Sequence, residues 1–364
     1  MTTTTTLAQV YREHPIHLRD IIPLDFNSIR SVPDSHVWPI SDDFSSDHQL
    51  MVPIIDLKDP NAVKLAGHAC KTRGAFQVIN HGIRLNLLEE VESEARRLFS
   101  LPTQTKMKAL REPAGATGYG LARISPFFPK YMWHEGFTIM DSPTEHARAL
   151  WPTDNARFCD VIERYQKQMK VLAEKLTDLI LESLAIFRED LNWDVGSPST
   201  ALQLNSYPPC PNPNRAMGLA PHTDTSFLTI LYQGSISGLQ IFKQGAGWIS
   251  MLPVTGALVV NVGDLLHILT NARFPSVLHR AVLNQEGSHR VSVAYFYGLP
   301  IECSVSPLLK LLDSGENPRY RPVTRAVSTK PKQNPKLLSI QETNRNLWEP
   351  LGRAQGDLAS KLSS

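Results

Sequence analysis

Three residues of this chain are of types that hold transition metals, and two are spaced to do so together. His222 and Asp224 stand two apart in Pro221-His222-Thr223-Asp224. Along extended backbone, residues i and i+2 project to the same side, so one ion can meet both the imidazole and the carboxylate. His279 lies downstream in Val277-Leu278-His279-Arg280-Ala281-Val282-Leu283. As a strand, that segment places Val277, His279, Ala281 and Leu283 on one face, and a histidine on an otherwise apolar, inward face needs a polar partner or a metal. Two imidazoles and one carboxylate cap one face of an octahedral ion and leave the opposite face open. That arrangement suits iron(II), with a bidentate 2-oxo acid and dioxygen taking the open positions. The pair alone is weak, because His-x-Asp recurs by chance in a chain with 12 histidines. Its plain alternative is a strand-end histidine bonded to a neighbour.

A second constellation supplies what such an ion would need. Arg290 and Ser292, in Arg290-Val291-Ser292, share one face of a strand leading to Tyr297. A guanidinium fork matches a carboxylate bidentately, and the serine hydroxyl can add a further bond. Upstream, Asn205-Ser206-Tyr207-Pro208 puts Asn205 and Tyr207 on a common face. The Tyr207 hydroxyl can reach the same distal carboxylate, and Asn205 can bond nearer the chelating end. Separately, Arg290 reads as a surface strand residue and Tyr207 as a core aromatic. Together with the metal-binding trio, one small dianion accounts for all of them. Asp264, in Asn261-Val262-Gly263-Asp264, reads as a turn carboxylate after a strand. His81, His267 and His289 read as structural, and Trp248 as packed between sheets.

Regular elements must hold these groups in place. Residues 1–110 read as an N-terminal α/β region: Val52–Leu57 and Gly74–Gly82 as strands with turns, Asn61–Thr72 and Asn86–Leu98 as helices by their apolar spacing. Residues 111–200 combine a segment loosened by Gly115, Gly118 and Gly120, an aromatic-rich stretch from Arg123 to Phe137, and a long helical pattern from about Ala156 to Phe187. That pattern, with Val161, Tyr165, Met169, Leu172, Leu176 and Ile180 on one stripe, predicts a brace laid on a sheet. Residues 201–300 are β in character. Short candidates at 202–207, 227–232, 239–242, 248–251, 257–261, 277–283 and 291–297 alternate with Gly, Pro and Asn turns, which predicts a barrel or a double-sheet jelly roll. Residues 301–364 form a polar tail with short helices expected at 307–312 and 337–346.

Bulk properties narrow the class. With 364 residues, 42% of them hydrophobic, the chain can bury a large core. A net charge of +2, from 37 basic and 35 acidic residues, gives no case for a nucleic-acid partner. No apolar run approaches the roughly 18 residues of a membrane span, and the start, Met1 to Pro15, has neither the basic-then-apolar order of a secretory signal nor the composition of a transit peptide. The four cysteines, 70, 159, 210 and 303, are widely spaced without a CxxC pair, which suggests thiols in a reducing compartment. A cytoplasmic monomer is the expectation. No Walker loop, GxGxxG segment, HExxH pair or internal repeat is present.

The combination resembles the plant 2-oxoglutarate/Fe(II) dioxygenases. His222-Thr223-Asp224, His279, Arg290-Val291-Ser292 and Asn205-Ser206-Tyr207-Pro208 carry the likeness. Pro53-Ile54-Ile55-Asp56-Leu57 and Gly74-Ala75-Phe76-Gln77-Val78-Ile79-Asn80-His81-Gly82 are similar to that family's N-terminal region. The resemblance implies a mainly β fold with flanking helices around a distorted double-stranded β-helix core. It implies iron(II) on His222, Asp224 and His279, with 2-oxoglutarate held by Arg290 and Ser292 and assisted by Tyr207 and Asn205. Dioxygen would be the other co-substrate and ascorbate the reductant. Within the family, Arg123–Lys130 and Met132–Ile139 resemble gibberellin 3-beta-dioxygenases, although His134 stands where a smaller polar residue is expected. That likeness implies 3β-hydroxylation of a gibberellin precursor, a diterpenoid acid that needs an apolar wall and a cation. Phe127, Phe128, Trp133, Phe137, Phe227 and Phe296 are candidates for the wall, Arg123 and Lys130 for the acid. Alternatives are the same chemistry at another gibberellin position or on a flavonoid, an iron oxidase that does not use 2-oxoglutarate, and a binding protein without turnover.

Overall fold

The computed structural model describes residues 15–26, 28–39, 52–187, 190–191, 197–284, 287–300 and 303–324. The N-terminal region supplies β1 (Ile54–Asp56), α1 (Ala62–Arg73), β2 (Ala75–Ile79) and α2 (Leu85–Phe99). α1 stops at Gly74, whose left-handed backbone (φ +70°) lets its N–H close on the carbonyls of Ala69 and Cys70. A side chain there would clash or strain, which is the usual reason for glycine after a helix.

Residues 111–200, expected as loop and brace, also contribute β3 (Gly118–Gly120) and β4 (Glu135–Ile139) ahead of α3 (Ala156–Glu182). Two glycines in three residues hide β3, and an isolated β4 has too little pattern to declare itself. The expected β region follows as β5 (Ser199–Tyr207), β6 (Leu219–His222), β7 (Leu228–Tyr232), β8 (Leu239–Lys243), β9 (Gly247–Ser250) and β10 (Leu258–Val262). After the short helix α4 (Asp264–Leu269) come β11 (His279–Ala281) and β12 (Arg290–Gly298). In the tail, Ser304–Val305 pairs with Val323–Thr324, and the helix expected at 307–312 is one 3-10 turn, Leu309–Leu311. The helix expected at 337–346 lies outside the described residues.

An eight-stranded sheet runs β1-β2-β10-β7-β12-β5-β4-β3, and a four-stranded sheet runs β6-β11-β8-β9. Strands from residues 1–110, 111–200 and 201–300 thus share one sheet. This is the double-stranded β-helix type of core in a mixed β/helix fold, with α1, α2 and α3 packed against the large sheet.

The pleat decides what each face does. On β12, Val291, Val293, Tyr295 and Tyr297 join the large core that includes α1, α2 and the α3 stripe of Val161, Tyr165, Met169, Leu172 and Leu176. Each such buried aliphatic side chain contributes about 2 kcal/mol by leaving water. The alternate residues Arg290, Ser292, Ala294 and Phe296 face the other sheet. There Leu231, Val259 and Ala294 of the large sheet meet Leu239, Ile241 and Ile249 of the small one in a second core. Trp248, one residue from Ile249, therefore turns away from the inter-sheet space. It stacks edge-on to Phe242 and lies 4.1 Å beneath the Arg280 guanidinium.

Candidate active site

His222 ends β6 and His279 opens β11, and the two are directly paired across the small sheet. Asp224 follows β6 by two residues. The two Nε2 atoms lie 3.7 and 3.8 Å from Asp224 Oδ1, and one ligand atom from each residue falls within 4.8 Å of the others. Each ring is turned by its own backbone: His222 Nδ1 donates to the Ala220 carbonyl at 2.8 Å, His279 Nδ1 to the Val277 carbonyl at 3.0 Å. This leaves both Nε2 lone pairs aimed at the carboxylate side. Fixing the tautomer through the second nitrogen is how metal-binding histidines are oriented. Burial, and then the neighbouring His279 ring, push His222 down to about 4, so it stays neutral near pH 7. Asp224 Oδ2 is buried without a hydrogen-bond partner. Two imidazole lone pairs converge on a carboxylate whose second oxygen is itself unsatisfied, and such a set of acceptors would repel one another unless a cation lay between them. The donor set of two imidazoles and a carboxylate fits iron(II).

Across the cavity, β5 and β12 set donors rather than acceptors. Arg290 is directly opposite Tyr207 and Ser292 opposite Asn205. The guanidinium sits 4.9 Å from the Tyr207 ring centroid, and its Nε donates to the Ile236 carbonyl at 3.1 Å. The Tyr207 hydroxyl is within bonding reach of both Arg290 and Ser292. Asn205 Nδ2 donates to Ser292 Oγ at 3.5 Å. Arg290 is 3% exposed and its Nη1 has no hydrogen-bond partner. A buried guanidinium with an unused donor is costly unless an anion meets it.

Both sets line one cavity of about 470 Å³, within the usual size for small-ligand sites. Of the wall candidates, Phe127 and Phe296 line it, and so does Arg123, whose Nη2 also donates to the Gly115 carbonyl. The others do not. Phe137 and Phe227 are in the helix-side core; on β4, Phe137 alternates with Thr138, and it is Thr138 that faces the cavity. Phe128 packs toward Trp38. Trp133 stacks on Phe26 and donates to the Pro208 carbonyl. Lys130 is at the surface, its Nζ on the Asp34 carbonyl.

Sequence reasoning did not single out Arg111, which is buried at the cavity wall and donates to the Leu121 carbonyl at 2.7 Å. Nor did it find Thr138 and Gln203, paired at 2.6 Å on adjacent strands beside Met140. Alternation along Glu135–Ile139 is the signal that could have found Thr138. Asp264 is more than a turn residue. It opens α4 fully buried, its N–H on the Asp224 carbonyl and Thr223 Oγ1 donating to its Oδ2, and burial raises it to about 7. It braces the Thr223–Asp224 backbone without joining the trio. His81 and His267 bond backbone carbonyls of Gly256 and Phe274, and His289 bonds Ser206 Oγ behind the sheet, as structural residues would.

Comparison with known proteins agrees with this geometry. Residues 198–299 match the 2OG-Fe(II) oxygenase superfamily, and residues 52–156 match a family described as non-haem dioxygenase in morphine synthesis N-terminal. The chain is 51% identical over 350 residues to gibberellin 3-beta-dioxygenase 1 of Pisum sativum, covering 92% of this chain and 93% of that protein. It is 47% identical over 353 residues to gibberellin 3-beta-dioxygenase 1 of Arabidopsis thaliana, covering 93% and 98%. Among solved structures, JOX2 in complex with 2OG, Fe and JA superposes with a TM-score of 0.72 at 29% identity, over 83% of this chain and 89% of that one.

Proposed function

The chain belongs to the plant 2-oxoglutarate/Fe(II) dioxygenase family, and from that premise we propose that it 3β-hydroxylates a gibberellin precursor in gibberellin biosynthesis. The observation that carries the chemistry is the single cavity shared by the His222–Asp224–His279 trio and the Arg290 clamp. The substrate class rests on the likeness to the gibberellin 3-beta-dioxygenases.

Iron(II), when bound, lets one dioxygen be split between substrate and 2-oxoglutarate, giving an alcohol, succinate and carbon dioxide. The protein's part is placement. His222, Asp224 and His279 are the proposed metal ligands, and their fixed rings need no rearrangement to bind. Arg290, Ser292 and Tyr207 are the proposed donors to the far carboxylate of 2-oxoglutarate, assisted by Asn205 opposite Ser292. Phe127, Phe296, Met140 and Ala294 give the diterpenoid a dry wall, while Arg123 and Arg111 provide cations for its carboxylate. The residues of this wall, by fixing which C–H bond lies beside the metal site, would set the regiochemistry.

We further infer a cytoplasmic monomer with ascorbate as reductant. Among the described residues no disulfide forms, and no helix is long and apolar enough to cross a membrane. The test is product identification from a panel of gibberellin precursors with iron(II), ascorbate and 2-oxoglutarate supplied. A 3β-hydroxylated product with matching succinate is expected. Succinate no higher than the uncoupled background with every precursor lacking a 3-substituent would overturn the substrate. Oxygen uptake indifferent to 2-oxoglutarate would overturn the co-substrate.

A further inference from the structure

His134 is completely buried just before β4, on the cavity side of that strand's alternation with Gly136 and Thr138. Its ring lies 5.3 Å from the Tyr207 ring, and its Nε2 is 3.0 Å from Asn205 Oδ1. Room for it comes from Gly136, where a Cβ would come within 2.9 Å of the imidazole. Its other nitrogen, Nδ1, is buried and has no hydrogen-bond partner.

That orphaned nitrogen fixes the direction of the bonds around it. A buried N–H without an acceptor is rare and costly, whereas an unused lone pair is tolerated more readily. The neutral ring therefore carries its proton on Nε2, and burial, which holds His134 down to about 4, keeps it neutral near pH 7. The Nε2–H then donates to Asn205 Oδ1, and the amide must turn its Nδ2 toward Ser292. With Asn205 donating to Ser292 Oγ at 3.5 Å, the serine proton is directed elsewhere. The opposite amide orientation would put Nδ2 on an unprotonated Nε2, strand the proton on Nδ1, and draw the Ser292 hydroxyl toward Asn205 Oδ1.

The geometry points to His134 as a positioning residue that sets the polarity of this chain, so that Ser292 donates to the distal carboxylate of the 2-oxo acid. This rests on the reading of the Arg290 clamp proposed above. No proton is transferred; the three groups only share a direction. His134 does not touch the co-substrate itself, and its effect passes through Asn205 and Ser292.

The test is anaerobic calorimetric titration of 2-oxoglutarate into the iron(II)-loaded protein, with kcat and KM measured alongside. His134→Leu removes the donor and frees the amide to flip. His134→Gln keeps an N–H at a similar reach. Loosening that one directed bond predicts a roughly three- to fivefold weaker Kd for 2-oxoglutarate in His134→Leu, no larger than the loss on removing the Ser292 hydroxyl itself. The KM for 2-oxoglutarate should rise with it, while kcat, iron(II) affinity and the KM for the gibberellin stay near wild type. His134→Gln should restore most of the binding. Unchanged 2-oxoglutarate affinity in His134→Leu overturns the inference. So does parallel loss of iron(II), gibberellin and 2-oxoglutarate binding in both variants, which would mark a packing role alone. Arg290→Ala in the same titration separates this from the underlying reading. If Arg290→Ala weakens 2-oxoglutarate and His134→Leu does not, only the role of His134 fails. If neither does, the clamp is elsewhere.

Discussion

The two sheets meet the cavity with opposite chemistry. The small sheet and the turn after it present acceptors: two imidazole Nε2 atoms and a carboxylate, converging within 4.8 Å. The large sheet presents donors from Arg290, Ser292, Tyr207 and Asn205, set directly opposite one another on β5 and β12. Neither half is stable company for itself. Convergent acceptors want a cation, and a buried guanidinium wants an anion. A chelating dianion held between a metal and an arginine would satisfy both faces at once.

Breaking the acceptor side should cost most. Asp224→Ala or His279→Ala should reduce iron-dependent turnover to background while leaving the far-ultraviolet circular dichroism spectrum native, since each replaces one site residue and no core contact. Retained turnover in either variant would remove that residue from the metal set. A chelator should reproduce the loss in the unmutated protein, and iron(II) should reverse it.

The donor side should fail differently. Arg290→Ala is expected to weaken 2-oxoglutarate binding on the order of 100-fold, because the carboxylate loses a desolvated partner. Iron(II) affinity should hold. If iron and 2-oxoglutarate binding fell together, the two halves would not be separable as described. Ser292→Ala removes one neutral donor and should cost only about five- to tenfold in the same titration.

Acid sharpens the contrast without a mutation. Burial depresses His134 and His289, one on each side of the large sheet, to about 4 from the ordinary 6.5. Between those values the unfolded chain takes up protons that the folded chain refuses, so stability falls as pH drops through that window. Denaturant titrations at pH 7 and pH 5 should show the loss, and His289→Gln should make it shallower. Equal stability at both pH values would mean these rings are not held neutral. The smallest effect is expected at the surface. Lys130→Ala, outside the cavity lining and both sets of groups, should leave kcat/KM within about twofold, as is usual for a half-buried surface residue without such features.

Much of the candidate site, as the structure brings it together, was legible because its parts are local. Asn205 with Tyr207 and Arg290 with Ser292 are each two apart on one strand, so the pleat turns each pair to one face; His222 and Asp224 are also two apart, but Asp224 stands in the turn after β6 and reaches the same side from there. The long brace, Ala156–Glu182, announced itself by its apolar stripe. The substrate wall was harder to read. Phe127 and Phe137 are equally aromatic in sequence, yet Phe127 lines the cavity and Phe137 fills the helix-side core. Composition marks a residue as apolar without saying which side of a sheet will be dry and which will be hollow.

By itself the sequence determined the spacing of the chemical groups, the strand and helix periods that carry them, and thus the class of ion and anion they can hold. Tertiary structure alone decided that β5 and β12 pair in the register that sets Arg290 against Tyr207. It alone brought β4 alongside to lay His134 on Asn205, and turned Phe137 away while Thr138 faced inward. The reason is range. A pleat is fixed by neighbours two residues away, whereas register and the choice of inward face depend on these pairings, 65 to 83 positions apart, which form only when the sheets close.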